Sequence, residues 1–398
     1  MKILFITPRL PYPSDRGDRV RVFNFAKVLS KKHSLFLVSF IQSKEELEYV
    51  EELEKIFNKA TTILLKPWKS NLNVLTHFFS KLPYQVSYYG SNIMQREIKQ
   101  IIGRKKIDVV YAFHLRMAPY AIDLKDIYKI LDLTDSVSLF LNRMLPFAKI
   151  YLRPLLYNEW LKVRRYEPMI TKRFDECWLI SRIDKRAIKE TGCLSNVVIV
   201  PNGIDLNYFK RKNLGLDSHN LLFVGYMGAE SIDSVLYFYK KIFPFIKKEI
   251  PSSQFYIVGA NPPRKITKLA QDENVIVTGF VKDLRPHYEK AAVMVASMRF
   301  VVGMQNKILE AMAMEVPVVT SRFGNEGIDA RSGKEIFVED NPKGFAHSVI
   351  ELLKDKNLRR EIGINARKFV ERNFTWTKAF DRMDEISGKI TENRLNTT

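Results

Sequence analysis

A loop followed by an apolar helix, at residues 297–319, holds the residues best suited to chemistry. Gly303 lies at the loop-to-helix junction, and the start of a helix leaves about four backbone NH groups without internal partners. Those groups and the helix dipole attract anions, and a glycine lets a phosphate come close to the backbone. Asn306 or Lys307, and then Glu310, follow at helical spacings on the same face. The stretch therefore favours a phosphorylated ligand.

Glu310 is the one charged residue within 308–314. A carboxylate on an otherwise apolar helix needs a partner, because burying it unpaired is costly. Two interpretations are open at this point. Glu310 forms an ion pair with Lys307, worth about 0.2–0.5 kcal/mol at an exposed site, or it accepts two hydrogen bonds from ribose hydroxyls while the helix start holds the attached diphosphate.

The elements that must position these residues alternate along the chain. Apolar runs rich in β-branched residues predict strands, and patterns of helical period predict helices between them, which together indicate parallel sheets covered on both faces. The predicted strands are 3–7, 35–40, 62–65, 109–113, 129–133, 177–181, 221–225, 254–259, 275–278, 293–296, 316–320 and 335–338. The predicted helices include 21–32, 45–59, 92–102, 234–247, 306–314 and 344–354.

The pattern restarts near residue 200, so the 398 residues predict two Rossmann-like, doubly wound domains of the α/β class. We place the N-terminal domain at 1–198, with a C-terminal return helix at 375–398, and the C-terminal domain at 199–374. Ligands of such sheets bind beyond the carboxyl ends of the strands, so a cleft between the domains is the expected site.

The composition excludes several classes of protein. With 46% apolar and 27% charged residues the chain is neither disordered nor fibrous. It has no run of 18 apolar residues that would span a membrane, and its start lacks the pattern of a signal peptide. Cys177 and Cys193 exclude a disulfide framework and a cysteine-built zinc site, so we interpret both as packing residues in a reducing cytoplasm.

The net charge of +20 is concentrated in residues 1–200, which hold 34 basic and 20 acidic side chains. Such a surface attracts nucleic acid, anionic lipid or a phosphorylated substrate, although a lysine-rich solvated face needs no partner. No nucleic acid is expected as a partner, because no helix-turn-helix, RNA-binding strand or zinc motif accompanies the charge.

Several motifs resemble the donor-site signature of retaining GT-B glycosyltransferases of the glycogen-synthase-like class (glycosyl transferases group 1), and especially exopolysaccharide- and exosortase-associated sugar transferases. They are Gly303 to Ala313, Pro317-Val318-Val319 and Gly324-Asn325-Glu326-Gly327-Ile328. The similarity extends to Thr7-Pro8-Arg9 with Gly17 to Arg21, to Pro201-Asn202-Gly203-Ile204-Asp205, to Val224-Gly225, Val258-Gly259 and Thr278-Gly279-Phe280-Val281, and to Phe374-Thr375-Trp376.

The resemblance implies transfer of a sugar from a nucleotide-diphosphate sugar to a glycan, lipid-linked or small-molecule acceptor, with retention and without a metal or other cofactor. Glu310 would hold the ribose, and His114 would lie near the transferred sugar, so these two are the catalytic candidates. The further donor-binding candidates are Gly17, Arg19, Arg21, Phe280, Val281, Arg299, Gly303, Met304, Gln305, Asn306 and Lys307. The implied role is cell-surface polysaccharide or glycoconjugate synthesis by a cytoplasmic protein.

Two departures from the family pattern raise alternatives. Many relatives have a glutamate where this chain has Val302, and many carry an Arg/Lys pair after the strand that ends at Gly225, whereas here no basic residue follows until Lys240. Arg299, Lys307 and Arg19 are the substitutes that we expect for this pair. A non-catalytic GT-B subunit and a nucleotide-sugar epimerase remain alternative functions.

Structural interpretations compete with some of these roles. Arg19 and Arg21 could be surface arginines on a helix capped by Asp15 or Asp18, and a lone histidine such as His114 is often structural. Asp132 and Asp135 suggest a carboxylate pair, although a helix cap at Asp135 or Ser136 explains part of that pattern.

Two segments, 68–89 and 147–165, combine aromatic and basic residues with few acids. Such a mixture suits a membrane surface with anionic lipid, on which the protein would be peripheral. The alternative is a helical core flap with a basic outer face.

Overall fold

The computed structural model describes residues 1–13, 17–190, 196–212 and 218–395, with the backbone alone for 377–380 and 391–395. Two compact units divide the chain. Unit 1 comprises Met1–Pro201 and Trp376–Thr398, and unit 2 comprises Asn202–Thr375. Cys193 and Asp15, which the sequence singled out, lie outside the described residues. The thiol of Cys177 is buried, as expected of a packing residue.

Unit 1 is built on a sheet in which seven strands are described, all parallel, in the order β3-β2-β1-β4-β5-β6-β7. The strands are β1 (Lys2–Thr7), β2 (Ser34–Ile41), β3 (Lys59–Leu64), β4 (Val109–Phe113), β5 (Tyr128–Thr134), β6 (Glu176–Leu179) and β7 (Val197–Ile199). Its helices are α1 (Gly17–Leu29), α2 (Val50–Glu54), α3 (Pro67–Thr76), α4 (Tyr84–Tyr88), α5 (Asn92–Lys105), α6 (Val137–Met144), α7 (Arg153–Thr171) and α8 (Arg182–Lys189).

Unit 2 has six described strands, also parallel, in the order β10-β9-β8-β11-β12-β13. They are β8 (Asn220–Val224), β9 (Gln254–Val258), β10 (Val275–Gly279), β11 (Val293–Ala296), β12 (Val318–Thr320) and β13 (Phe337–Val338). The helices are α9 (Ala229–Tyr237), α10 (Phe243–Glu249), α11 (Arg264–Thr267), α12 (Arg285–Lys290), α13 (Asn306–Ala313), α14 (Arg322–Asn325), α15 (Pro342–Lys354) and α16 (Lys356–Asn373), followed by α17 (Thr377–Leu395), which returns to unit 1.

The alternation of side chains along β1 explains why its whole sequence is apolar. Leu4 and Ile6 pack into a core with residues of α5 and α7, whereas Ile3 and Phe5 pack into a core with residues of α1 and α17. Both faces of the strand are thus covered, which is the arrangement that continuous apolar strands indicate. The predicted α/β class with two parallel-sheet domains is confirmed.

Two predicted helices are broken. The helix expected at 45–59 is a 3-10 turn, Glu45–Tyr49, followed by the short α2; its run of glutamates places like charges three and four residues apart, which destabilises a longer helix. The helix expected at 234–247 contains a π-helical turn, Phe238–Ile242, because Pro244 has no NH to continue the α-helical ladder. In the described part of the chain, no helix has both the length and the apolar character needed to cross a membrane.

Candidate functional site

The start of α13 is shaped by two glycines. Gly303 has a φ of 67°, a left-handed conformation that side chains with a Cβ adopt rarely. Its carbonyl oxygen lies 2.3 Å from the position that a Cβ on Gly327 would take, so a larger residue at 327 would displace the loop. Gln305, the N-cap residue, makes no side-chain cap; its Nε2 donates instead to the carbonyl of Val302 at 3.2 Å. Its side chain therefore leaves the first-turn NH groups of α13 uncapped.

Glu310 lies one turn along α13, half-buried, beside the ring of Tyr288. The hydroxyl of Tyr288 donates to Oε2 of Glu310 at 2.9 Å. Tyr288 comes from α12 and is fully buried. Burial raises the pKa of Glu310, and the Tyr288 hydrogen bond and the charge of Lys307 oppose that rise. The carboxylate is thus hydrogen-bonded on one side, on a residue that is only partly buried.

Lys307 projects from the first turn of α13 toward the carboxyl end of β8. Its Nζ lies 4.8 Å from the centroid of the Phe223 ring and 3.0 Å from the position that a Cβ would take on Gly225. Burial lowers the pKa of Lys307 to about 8, and the charges of Glu230 and Glu310 oppose the shift. The ammonium is therefore poorly solvated and lies beside Gly225, after which the chain has no basic residue until Lys240.

Asn306, the first residue of α13, is held from another segment. Nδ2 of Asn202 donates to Oδ1 of Asn306 at 2.9 Å. Asn202 is itself buried. The turn after β7 is thus tied to the helix start that carries the candidate residues.

The other unit 2 candidates lie around this helix start or along the same sheet edge. Met304 and Val302 are buried in the loop before α13. Phe280 is 63% exposed and, with Val281, follows Gly279 at the end of β10. Arg299 is paired: its Nε donates to Oδ2 of Asp233 at 2.9 Å, and its guanidinium stacks over Tyr237.

Arg21 corrects a sequence-based expectation. The alternative of a surface arginine is wrong: Arg21 is 2% exposed, and its Nε donates to Oδ2 of Asp132 at 2.7 Å. The hydroxyl of Tyr111 donates to the same oxygen. Arg21 therefore ties α1 to β5 inside unit 1, because a buried charge needs a hydrogen-bonded partner, and Asp132 is its partner rather than half of a carboxylate pair.

Gly17 and Arg19 lie at the start of α1. Gly17 is exposed, and Arg19 donates from Nη2 to Oε1 of Glu46 at 3.2 Å. Asp18 lies in the first turn and forms an ion pair with Arg9 at 3.3 Å.

His114 directly follows β4 with a φ of 69°. Burial and the charge of Arg116 lower its pKa to about 3, so the imidazole is neutral at physiological pH. Nearby, Asp135 follows β5, and burial with the charges of Asp184 and Glu167 raises its pKa to about 8. The expected cap is present at Ser136, whose hydroxyl accepts from the NH of Leu139.

The structure thus brings Asn306, Lys307 and Glu310 onto one supported face of α13, while Gly17, Arg19, Arg21 and His114 belong to unit 1. Sequence reasoning did not assign Tyr288 or the side chain of Asn202 to the site. The one available signal was that a buried tyrosine hydroxyl requires a hydrogen-bond partner. This face offers a cation, a hydrogen-bonded carboxylate and a helix start without a side-chain cap, a combination suited to a phosphorylated sugar or nucleoside.

Residues 218–355 match the family model described as glycosyl transferases group 1. The chain is 25% identical, over 95% of its length and 98% of the relative's, to an uncharacterized 44.6 kDa protein in the cps region of Klebsiella pneumoniae. It is 28% identical to the capsular polysaccharide biosynthesis glycosyltransferase CapM of Staphylococcus aureus, over 46% of this chain and 52% of that one.

Solved structures share the fold. Anabaena Alr3699/HepE in complex with UDP has a TM-score of 0.71 at 14% identity, covering 98% of this chain and 100% of that one. Sucrose-phosphate synthase from Thermosynechococcus elongatus has a TM-score of 0.75 at 14% identity, covering 99% and 100%.

Proposed function

Because residues 218–355 form a glycosyl transferases group 1 domain and the chain is a glycosyltransferase with the GT-B fold, we propose that unit 2 binds a nucleotide-diphosphate sugar. The sugar is transferred with retention to a glycan, lipid-linked or small-molecule acceptor in cell-surface polysaccharide or glycoconjugate synthesis. The relatives named for a cps region and for capsular polysaccharide biosynthesis support that setting, and the similar fold that was solved with UDP supports the donor class.

The observation that carries the proposal is the pairing of Glu310 with Tyr288 one turn from Lys307. Two free lone pairs on a carboxylate accept hydrogen bonds from the 2- and 3-hydroxyls of a ribose. Lys307 and the first-turn NH groups of α13 then contact the diphosphate, because both favour negative charge. The base would lie against Phe280 and Val281.

Catalysis in this proposal is mainly electrostatic. Departure of the nucleoside diphosphate leaves an oxocarbenium-like sugar and places negative charge on the leaving phosphate. A preorganised cation and fixed NH dipoles stabilise that charge without reorganisation. Lys307 supplies the cation, so we propose that turnover requires no metal and is unchanged by EDTA.

Donor binding is tested directly by thermal shift and isothermal titration with UDP, GDP, ADP and their sugars. A ligand that binds the folded state at a hundredfold excess over its Kd raises stability by about 2.7 kcal/mol. Glu310→Ala should abolish that stabilisation, whereas Glu351→Ala, which removes an exposed carboxylate on α15 of the same unit, should leave it unchanged. Absence of stabilisation by every nucleotide would overturn the proposal.

A non-catalytic role is the second candidate, since the buried Val302 occupies the position where many relatives carry a glutamate. The two candidates differ in turnover. Release of nucleoside diphosphate from a bound nucleotide-sugar identifies an enzyme, whereas saturable binding without cleavage of any sugar donor identifies a binding subunit. Interconversion of the donor sugar would instead identify an epimerase.

A further inference from the structure

Unit 1 exposes large apolar side chains in two segments, 68–81 and 143–157, which we call the apolar–basic surface. Phe79 is 96% exposed and Ile150 is 78% exposed. Leu75, Tyr151 and Trp68 are each more than half exposed. A cluster of this kind is unusual on a protein surface and indicates a binding partner.

Contacts join the two segments. The rings of Phe78 and Tyr84 stack with centroids 5.3 Å apart, and the hydroxyl of Tyr84 donates to Oδ1 of Asn158 on α7 at 3.2 Å. Nζ of Lys162, one turn later, donates to the carbonyl of Phe78 at 2.6 Å. The loop that carries Phe79 therefore packs beside the helix that continues from Ile150.

The exposure of Phe79 is imposed by the structure around it. Its neighbour Phe78 is fixed by the stacked ring and by Lys162, which is only 9% exposed. After the loop, the carboxylate of Glu159 accepts from the backbone NH groups of Tyr84 and Gln85 at 2.7 and 3.2 Å. Because the backbone is anchored on both sides, Phe79 is held in water instead of folding onto its own domain.

The two segments carry charged side chains of one sign. Residues 65–96 and 137–158 contain no aspartate or glutamate. The next acidic residue after the second segment, Glu159, is buried and hydrogen-bonded. Two lysines lie against exposed aromatic rings: Lys69 over Trp68 at 5.3 Å and Lys149 over Tyr151 at 5.6 Å. Aromatic rings at the level of lipid headgroups, with ammonium groups beside them, are typical of a membrane interface.

We propose that the apolar–basic surface binds a bilayer that contains anionic lipid, with Phe79, Trp68 and Ile150 entering the headgroup region and the lysines contacting lipid phosphates. Lipid is favoured over an acidic protein or nucleic acid because the apolar side chains protrude beside basic groups, and a bilayer surface offers both hydrocarbon and phosphate. The surface stands independently of the proposed donor site, and it would bring a lipid-linked acceptor to unit 1.

The test is co-sedimentation of the full chain with vesicles of phosphatidylcholine, with and without phosphatidylglycerol, at low and physiological salt. We expect binding to the anionic vesicles that is weakened by salt. Phe79→Ser should lower the affinity about 10- to 150-fold, the effect of removing one inserted phenylalanine, and Lys69→Glu with Lys149→Glu should lower it further.

Leu47→Ser is the matched control, because Leu47 is 47% exposed in unit 1 but lies among glutamates. It should bind vesicles like the unmodified chain. The emission of Trp68 should shift to the blue on anionic vesicles, and Trp68→Phe should lose that shift. Absence of binding at low salt, or equal losses in Phe79→Ser and Leu47→Ser, would overturn the proposal; nucleotide stabilisation measured on the same variants reports the donor site separately.

Discussion

Tyr288 and Glu310 form the hydrogen bond on which the candidate site depends: the buried hydroxyl of α12 lies 2.9 Å from the carboxylate of α13. The tyrosine fixes the side chain of Glu310 and stabilises its charged form, because a hydrogen bond to a carboxylate favours ionisation. An ionised, oriented carboxylate binds two hydroxyls better than a mobile or protonated one.

Tyr288→Phe should therefore weaken nucleoside diphosphate binding about fivefold to tenfold, the effect of one hydrogen bond of about 1–1.5 kcal/mol. The ring remains, so the packing of α12 should persist. Titration calorimetry at pH 7 measures the loss, and circular dichroism of the variant checks that the fold is intact. An unchanged affinity would show that the Tyr288 hydroxyl does not support the donor site.

Lys307 should make donor binding depend on pH. Its pKa of about 8 in the free protein means that the charged form predominates below pH 8 and declines above it. A diphosphate stabilises the ammonium and raises that pKa, so affinity should be flat below pH 8 and fall up to about tenfold per unit above it. Lys307→Arg should bind with a flat profile to pH 9.5, since arginine stays charged. An unmodified chain with a flat profile would contradict this role.

Arg299 and Lys307 should contribute unequally, although both are basic residues near the helix start. The guanidinium of Arg299 is already paired with Asp233, whereas the ammonium of Lys307 lies over the ring of Phe223 and has no hydrogen-bond acceptor among the described residues. Lys307→Ala should lower donor affinity about 10- to 100-fold, as expected for a charged hydrogen bond, and Arg299→Ala less than about threefold. The double variant should abolish turnover while circular dichroism shows an intact fold; unchanged turnover would exclude both residues.

Arg21 and Asp132 should matter for stability rather than for donor binding. Arg21→Met leaves the buried Asp132 carboxylate with the hydroxyl of Tyr111 and the NH of Thr134 but no cation, and breaking a buried pair from one side costs about 3–5 kcal/mol. Urea unfolding followed by tryptophan fluorescence should show that loss. The double variant Arg21→Met with Asp132→Leu should recover part of it, and nucleotide affinity should be unchanged in both.

The sheets could be predicted because their signal is local. The apolar runs at 109–113 and 293–296 match β4 and β11 residue for residue. Strands that are buried on both faces are apolar throughout, so their sequence pattern is continuous. The helix expected at 306–314 is α13, for the same reason of clear periodicity and a proline beyond its end. Helix interruptions were missed where a proline or a run of like charges outweighed periodicity.

The partners of the candidate residues could not be predicted, because each depends on a contact between distant segments. Tyr288 precedes Glu310 by 22 positions, and Arg21 is 111 positions from Asp132. Neither separation follows from the periodicity of a helix or a strand, so the sequence pattern does not reveal these contacts. The residue types indicated which side chains could bind a phosphorylated ligand. Only the folded structure shows that Arg21 forms an internal ion pair with Asp132.

His114 should not act by exchanging a proton near neutral pH. Its pKa of about 3 leaves the imidazole neutral throughout the range in which an ordinary histidine titrates. Turnover should consequently show no step near pH 6.5 that His114→Asn removes. Asparagine is the suitable replacement, because it tolerates the positive φ at this position better than most residues, and it keeps one hydrogen-bonding group. His114→Ala should lose more activity than His114→Asn if a neutral imidazole hydrogen-bonds to the transferred sugar; equal retention of activity in both variants would restrict His114 to a structural role.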